Sequence, residues 1–225
     1  MKTWLIVPVM AITLASCKSA AYFDSPNDLN YISGTLYLNN GRTLEGKISI
    51  DDGWNGVVKI YVNGEKKGQR YKFSEVEGYK IRNEFYELKE IRDGGSLSRN
   101  YRLKFMKRLT PDNSKIHLYE YLDKETSYAG FRRNNPITSF EKNYYVQLPS
   151  EKDGVWDIGQ SKFVPNFDEK MSKIVDDCPT LSQKIANKEK GYFYPQIGGS
   201  DEKRVDMLWN IINEYNKCGS SLGSR

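Results

Sequence analysis

Histidine is nearly absent from this chain, with one copy in 225 residues, and cysteine is scarce, with three. Two late cysteines and a distant His fall short of a zinc ligand set. No Cys-x-x-Cys pair occurs, which removes the dithiol redox enzymes. No Gly-x-Ser-x-Gly, His-Glu-x-x-His or P-loop string is present either. Charge of one sign is not in excess: 34 Lys and Arg face 29 Asp and Glu, a net of +5, too little to name a polyanionic partner. Long apolar runs are confined to the extreme N-terminus, and the mean hydropathy is negative, which excludes a polytopic membrane protein. What is plentiful is aromatic carbon, at 13% of residues against 38% apolar overall. That composition excludes global disorder and suits one globular domain, or two small ones, with a buried core.

The N-terminus carries Lys2, an apolar stretch from Trp4 to Leu14, and then Ala15-Ser16-Cys17. Its apolar core is too short for a bilayer span, which needs about 20 residues, and reads as a signal peptide over residues 1–16. Leu14-Ala15-Ser16-Cys17 resembles the lipobox of bacterial lipoproteins. The resemblance implies that the chain is cut before Cys17 and that Cys17 is acylated, which makes a membrane surface its first partner. Acyl chains contribute about 0.8 kcal/mol per buried CH₂, so such an anchor is effectively permanent. Lys18 stands where an Asp would resemble an inner-membrane retention signal, so the expected address is the outer membrane of a cell envelope, facing either the periplasm or the exterior. Removing residues 1–16 takes away one Lys and no acid and lowers the charge from +5 to +4. Residues 17–30 are small and polar, with Pro26, and read as a lipid-anchored tether.

From residue 31 to 148 the dominant signal is alternation with period two. Ile32, Leu36 and Leu38 share one face, as do Leu44, Ile48 and Ile50, and Asn39-Asn40-Gly41 between them favours a tight reversal. Val58, Ile60 and Val62 repeat the pattern ahead of Asn63-Gly64. Further strands are expected at Arg70 to Phe73, Val76 to Ile81, Phe85 to Ile91, Tyr101 to Phe105, Ile116 to Leu122, Ser127 to Arg132 and Tyr144 to Leu148. Short strands with turn residues between them predict a mainly β fold with some α, as an antiparallel meander, sandwich or partly closed barrel. Glu45, Lys47, Arg102 and Lys104 oppose the apolar faces, so these strands meet a core on one side and water on the other.

Residues 149–218 read as a connector with Trp156 followed by a cap of about three helices. Asn166 caps the first, whose stripe is Phe167, Met171, Ile174, Val175 and Cys178. Pro179 opens the second, with Leu181 and Ile185 inward. Ser200 caps the third, whose apolar face is Val205, Leu208, Trp209, Ile212 and Tyr215. Residues 219–225 form a Gly- and Ser-rich tail expected to be flexible. Cys178 and Cys218 lie at helix ends in a compartment that permits oxidation, so both a disulfide and two separate thiols are compatible with the sequence.

The search for chemistry is short. His117 lies on one strand face with Tyr119 and Tyr121 and reads as a surface residue. Asp51-Asp52-Gly53-Trp54-Asn55-Gly56 lacks the ligand spacing of an EF-hand and reads as a hairpin turn with Trp54 on its rim. Candidate binding aromatics are Trp54, Tyr119, Tyr121, Tyr144 and Tyr145, whose faces suit sugar rings or protein surfaces. Arg99, Arg102, Lys104, Lys107 and Arg108, with Arg132 and Arg133 nearby, form a basic run that suits anionic headgroups. The export signal argues against a nucleic-acid partner.

The run Gly34-Thr35-Leu36-Tyr37-Leu38-Asn39-Asn40-Gly41-Arg42-Thr43-Leu44-Glu45-Gly46-Lys47-Ile48, with Phe73-Ser74-Glu75-Val76-Glu77-Gly78-Tyr79, resembles segments of uncharacterised exported proteins of Bacteroidota, which have no established active-site pattern. The resulting expectation is a non-catalytic, lipid-anchored envelope protein that binds or scaffolds other envelope proteins, with no cofactor and no metal. A carbohydrate-binding component of a glycan-uptake system is the second reading. A hydrolase with two carboxylates about 5 to 9.5 Å apart is the third.

Overall fold

The computed structural model describes residues 20–51, 56–92, 102–128, 136–159, 162–194 and 201–218. The expected hairpin around Asn39-Asn40-Gly41 forms where alternation and turn chemistry place it. Strand β2 (Asp28–Leu38) pairs antiparallel with β3 (Thr43–Ile50), with Leu36 opposite Leu44 and Ile32 opposite Ile48. Gly41 takes a φ of 79°, a conformation open to glycine, and closes the reversal through its N–H to the Leu38 carbonyl at 2.9 Å. Strands β4 (Val57–Tyr61), β5 (Gln69–Lys72) and β6 (Val76–Ile81) extend the sheet.

Among the described residues, 11 strands join in one mainly antiparallel sheet. Its pivot is β7 (Glu84–Ile91), whose first half pairs with β6, placing Tyr79 opposite Tyr86. The last residues of the same strand pair in parallel with β11 (Gly154–Asp157), Glu90 opposite Gly154 and Ile91 opposite Val155. With β8 (Leu103–Arg108), β9 (His117–Tyr128) and β10 (Pro136–Gln147) between them, β7 through β11 return on themselves as a closed ring. The segment 150–164, expected as a connector, therefore also supplies the strand that closes the ring. β9 and β10 form one long ladder in place of the shorter, separate strands expected there.

Three cores follow from this arrangement. The N-terminal sheet encloses Leu36, Ile48, Val58, Ile60, Tyr79 and Phe105. The ring holds Met106, Tyr119, Tyr121, Tyr145 and Val155. On the outside of the ring, Ile116, Leu118 and Val146 meet helices α1 (Phe167–Ile174), α2 (Pro179–Ala186) and α3 (Asp201–Lys217) through Met171, Leu181, Ile185, Leu208 and Ile211. Helix α1 ends before Cys178, which is the N-cap of α2. Cys178 and Cys218 are joined as a disulfide, with α-carbons 5.8 Å apart. The three-helix cap matches the expected class, and no described helix is long and apolar enough to cross a membrane.

The expected tether is corrected from residue 22 onward. Tyr22–Ser25 is β1, paired with the start of β2. Polarity makes this stretch look like a spacer, but its polar groups satisfy buried backbone. The Asn27 side chain accepts from the Phe105 N–H at 2.8 Å and donates to the Phe105 carbonyl at 3.2 Å. The buried Tyr79 hydroxyl donates to the Pro26 carbonyl at 2.7 Å. An unpaired buried peptide group costs about 1 to 3 kcal/mol, so the segment is bound into the fold by these contacts.

Candidate functional site

The β2–β3 ladder is interrupted between Leu29 and Ile32. Tyr31 there takes a φ of 57°, a left-handed conformation that costs a non-glycine residue about 1 to 2 kcal/mol. The strained residue is held by the Ser49 hydroxyl, which accepts from the Tyr31 N–H at 3.0 Å and donates to the Asn30 side-chain oxygen at 2.9 Å. The result brings the Tyr31 ring onto Tyr61, at the end of β4, with centroids 4.4 Å apart and planes inclined by 30°. Gly68 lies against the Tyr61 ring so closely that a Cβ there would come within 2.9 Å of it. Burial, followed by the charge and hydrogen bond of the Tyr31 phenol, raises the pKa of Tyr61. The Lys47 ammonium stands 5.7 Å from the Tyr31 ring centre.

These tyrosines border a groove of about 1340 Å³. Gly34 and Gly46, opposite one another in the ladder, line it. A Cβ at either would come within 2.5 Å of a carbonyl oxygen on the neighbouring strand, so the close strand approach there requires glycine. The polar lining includes Ser33, Thr35, Glu45, Lys47, Glu65 and Lys66. Two acids against two lysines leave the groove without a dominant charge. It therefore presents flat apolar rings beside hydroxyl, carboxylate and ammonium groups, a combination suited to a neutral, hydroxyl-rich ligand.

The aromatics selected from sequence lie elsewhere. Tyr119, Tyr121 and Tyr145 are buried inside the ring, and Tyr144 is half-buried against the helical core, so none forms an exposed stacking platform. Trp54 lies outside the described residues, as do Cys17, Arg99, Arg132 and Arg133. His117 is half-buried rather than a surface residue, and its Nδ1 is 3.2 Å from the Thr110 hydroxyl. Burial, the largest influence on it, lowers its pKa and favours the neutral imidazole.

The members of the basic run among the described residues, Arg102, Lys104, Lys107 and Arg108, are likewise answered from within the protein. Arg102 pairs with Glu90 at 3.1 Å, and Lys107 with Glu84 at 2.5 Å. Arg108 pairs with Glu87 and Asp112. The Lys104 ammonium lies 5.9 Å from the Tyr121 ring centre. These contacts make a charge network within the described part of the run. Its centre is the buried Glu87 carboxylate, which accepts from Arg108, from Lys89 at 2.7 Å and from the Tyr119 hydroxyl at 2.9 Å. A second cleft of about 950 Å³, at the place where β7 changes partner from β6 to β11, is lined by Glu87, Lys89, Glu90 and Arg108.

Removing one member of a buried ion pair leaves the other charge uncompensated, at a cost of about 3 kcal/mol or more. Glu87→Gln is therefore expected to destabilise the fold by about 3 kcal/mol, read as a melting point about 6 to 12 °C lower. Lys107→Ala, which breaks a more exposed pair, should cost less than about 1 kcal/mol. Equal melting points for the two variants would contradict the central role of Glu87.

Tyr31 and Tyr61 were missed as a pair because they lie on different strands, separated by the whole of β3. The available signal was Tyr61 on the outward row of β4. Among the described residues, no group of three or more His, Cys, Asp or Glu side chains is placed to hold a metal ion. Compared with known proteins, the chain matches no family model, no curated protein and no solved structure.

Proposed function

We propose that this chain is a non-catalytic binding module of the bacterial cell envelope, anchored to the outer membrane through acylated Cys17, and that the Tyr31–Tyr61 groove takes a saccharide chain. The observation that carries this reading is the groove itself: a strained tyrosine held against a second tyrosine, beside a balanced set of polar side chains. A binding role accounts for that arrangement more directly than a purely scaffolding one. The hydrolase reading draws less support. The buried carboxylates Glu87 and Glu90 line a cleft, but each is engaged by cations of its own ring.

Titration of the Cys17→Ser chain with a panel of soluble neutral oligosaccharides tests the groove. Binding is expected for at least one oligosaccharide. Losing the two exposed charged groups in Glu45→Gln/Lys47→Ala should weaken it about 100-fold or more, since two hydrogen bonds to charged groups, at about 1.5 kcal/mol or more each, sum to about 3 kcal/mol. The melting point should stay within about 2 °C of the parent, because surface substitutions change stability little. If no saccharide binds, or the double variant binds as well as the parent, the groove assignment is wrong. Metabolic labelling with an alkynyl fatty acid tests the anchor separately: the native chain should be labelled and Cys17→Ser should not.

A further inference from the structure

Tyr22, Phe23 and Phe140 are the exposed large apolar side chains among the described residues, at 42%, 38% and 51% exposure. They come from distant parts of the chain and share one corner of the fold. Phe140 stands opposite Lys124 in the β9–β10 ladder. The Lys124 ammonium reaches to the N-terminal strands, bonding Asp24 at 2.6 Å and Asp28 at 3.0 Å. Tyr22 donates its hydroxyl proton to the same Asp28 at 3.0 Å. Phe23, its neighbour on β1, lies 5.9 Å from the Tyr86 ring, at the rim of the N-terminal core. Lys142, on the same strand face as Phe140, pairs with Glu120 at 3.4 Å.

Clustered exposed apolar side chains mark an interaction surface, and aromatic side chains suit the membrane–water interface. The length of the N-terminal segment identifies the occupant. Four residues separate Cys17 from Tyr22, and the five steps along the chain, at about 3.3 to 3.6 Å each, keep Tyr22 within roughly 18 Å of the Cys17 α-carbon. On the reading that Cys17 is acylated, we infer that this corner seats on the bilayer, with Tyr22, Phe23 and Phe140 at headgroup depth. Among the described residues of this corner, Lys124 and Lys142 are each held in ion pairs, so the surface that fits is zwitterionic lipid and the attachment is aromatic rather than electrostatic. The Tyr31–Tyr61 groove, whose lining includes Ala20 and Ala21, then opens next to the membrane.

The test uses the full, acylated chain in phosphatidylcholine vesicles, with a nitroxide label at Phe140→Cys, and as a control at Glu189→Cys on the helical cap. Both positions are exposed. The ratio of collision with oxygen to collision with a water-soluble nickel complex should be several-fold higher at 140 than at 189. A label at Lys142→Cys, on the same face as Phe140, should share the elevated ratio and guards against a local effect of one substitution. If the chain floats with the vesicles but positions 140 and 189 give the same ratio, the corner does not seat on lipid and the anchor stands alone. A higher ratio seen only with anionic vesicles would also overturn the inference. If the native chain neither takes up the fatty acid nor floats, the anchor fails and this inference fails with it.

Discussion

Raising the pH above 10 is expected to unfold this protein within about two pH units. Four buried tyrosines have their pKa values raised above the ordinary value of 10.0: Tyr79, Tyr86, Tyr119 and Tyr215. In each the largest cause is burial. The next contributions are the neighbouring Tyr86 for Tyr79, a hydrogen bond to Glu84 for Tyr86, the Glu87 charge for Tyr119, and a hydrogen bond to Asp177 for Tyr215. The sign follows from proton counting. Below pH 10 both folded and unfolded chains keep these protons, and the contribution to stability is fully present. Above pH 10 the unfolded chain releases them while the folded chain retains them, so stability falls with pH until the folded-state values are reached. One protonation difference amounts to about 1.4 kcal/mol per pH unit, and four give about 5 kcal/mol per unit, against a typical total stability of about 5 to 15 kcal/mol. Absorbance at 295 nm followed with far-UV circular dichroism reads the outcome. The chain has 16 tyrosines; these four should ionise in a late step that coincides with loss of secondary structure. A single smooth titration of all 16 with unchanged dichroism would contradict the structure.

Opening the Cys178–Cys218 disulfide is expected to lower the melting point by about 8 to 16 °C. The bridge spans a sequence separation of 40. On the chain-entropy account, closing a loop of that length removes about 4 kcal/mol of freedom from the unfolded state, and each kcal/mol corresponds to roughly 2 to 4 °C in a chain of this size. The bridge also joins the start of α2 to the end of α3, where other contacts converge. Lys115, at the edge of β9, donates through its backbone N–H to the Asn216 side chain at 2.8 Å and through its ammonium to the Cys218 carbonyl at 2.6 Å. The Tyr215 hydroxyl donates to Asp177 at 2.7 Å. Cys178→Ala/Cys218→Ala and chemical reduction should lower the melting point alike. A melting point unchanged by both would mean that the bridge adds no constraint.

Sequence legibility follows how local each signal is. The β2–β3 hairpin and the β6 strand are readable because alternation and turn residues act over a few positions. The same holds for Pro179 at the first turn of α2 and the acids in the first turn of α1. Tyr119 and Tyr121 illustrate the limit. Alternation assigns them to one face of β9 and Leu118 to the other, yet both faces are buried, one by the ring and one by the helices. Tyrosine fits a core when its hydroxyl has a partner, as Glu87 and Gln147 supply for Tyr119, so its presence in a strand does not report exposure. The arm formed by residues 136–143 of β10 escaped notice because its polar composition carries no apolar stripe. The parallel pairing of β11 with β7 has no local signature at all.

Composition, periodicity and turn chemistry were enough for a β-rich chain with a helical cap, because each depends on residues a few positions apart. The choice of strand partners was set by the tertiary fold. It joined β11 to β7, turned Tyr119, Tyr121 and Tyr145 into the ring, paired Arg102, Lys107 and Arg108 with nearby acids and brought Tyr31 to Tyr61. Those outcomes depend on which distant surfaces bury one another, and burial is a property of the assembled layers rather than of any short stretch of chain.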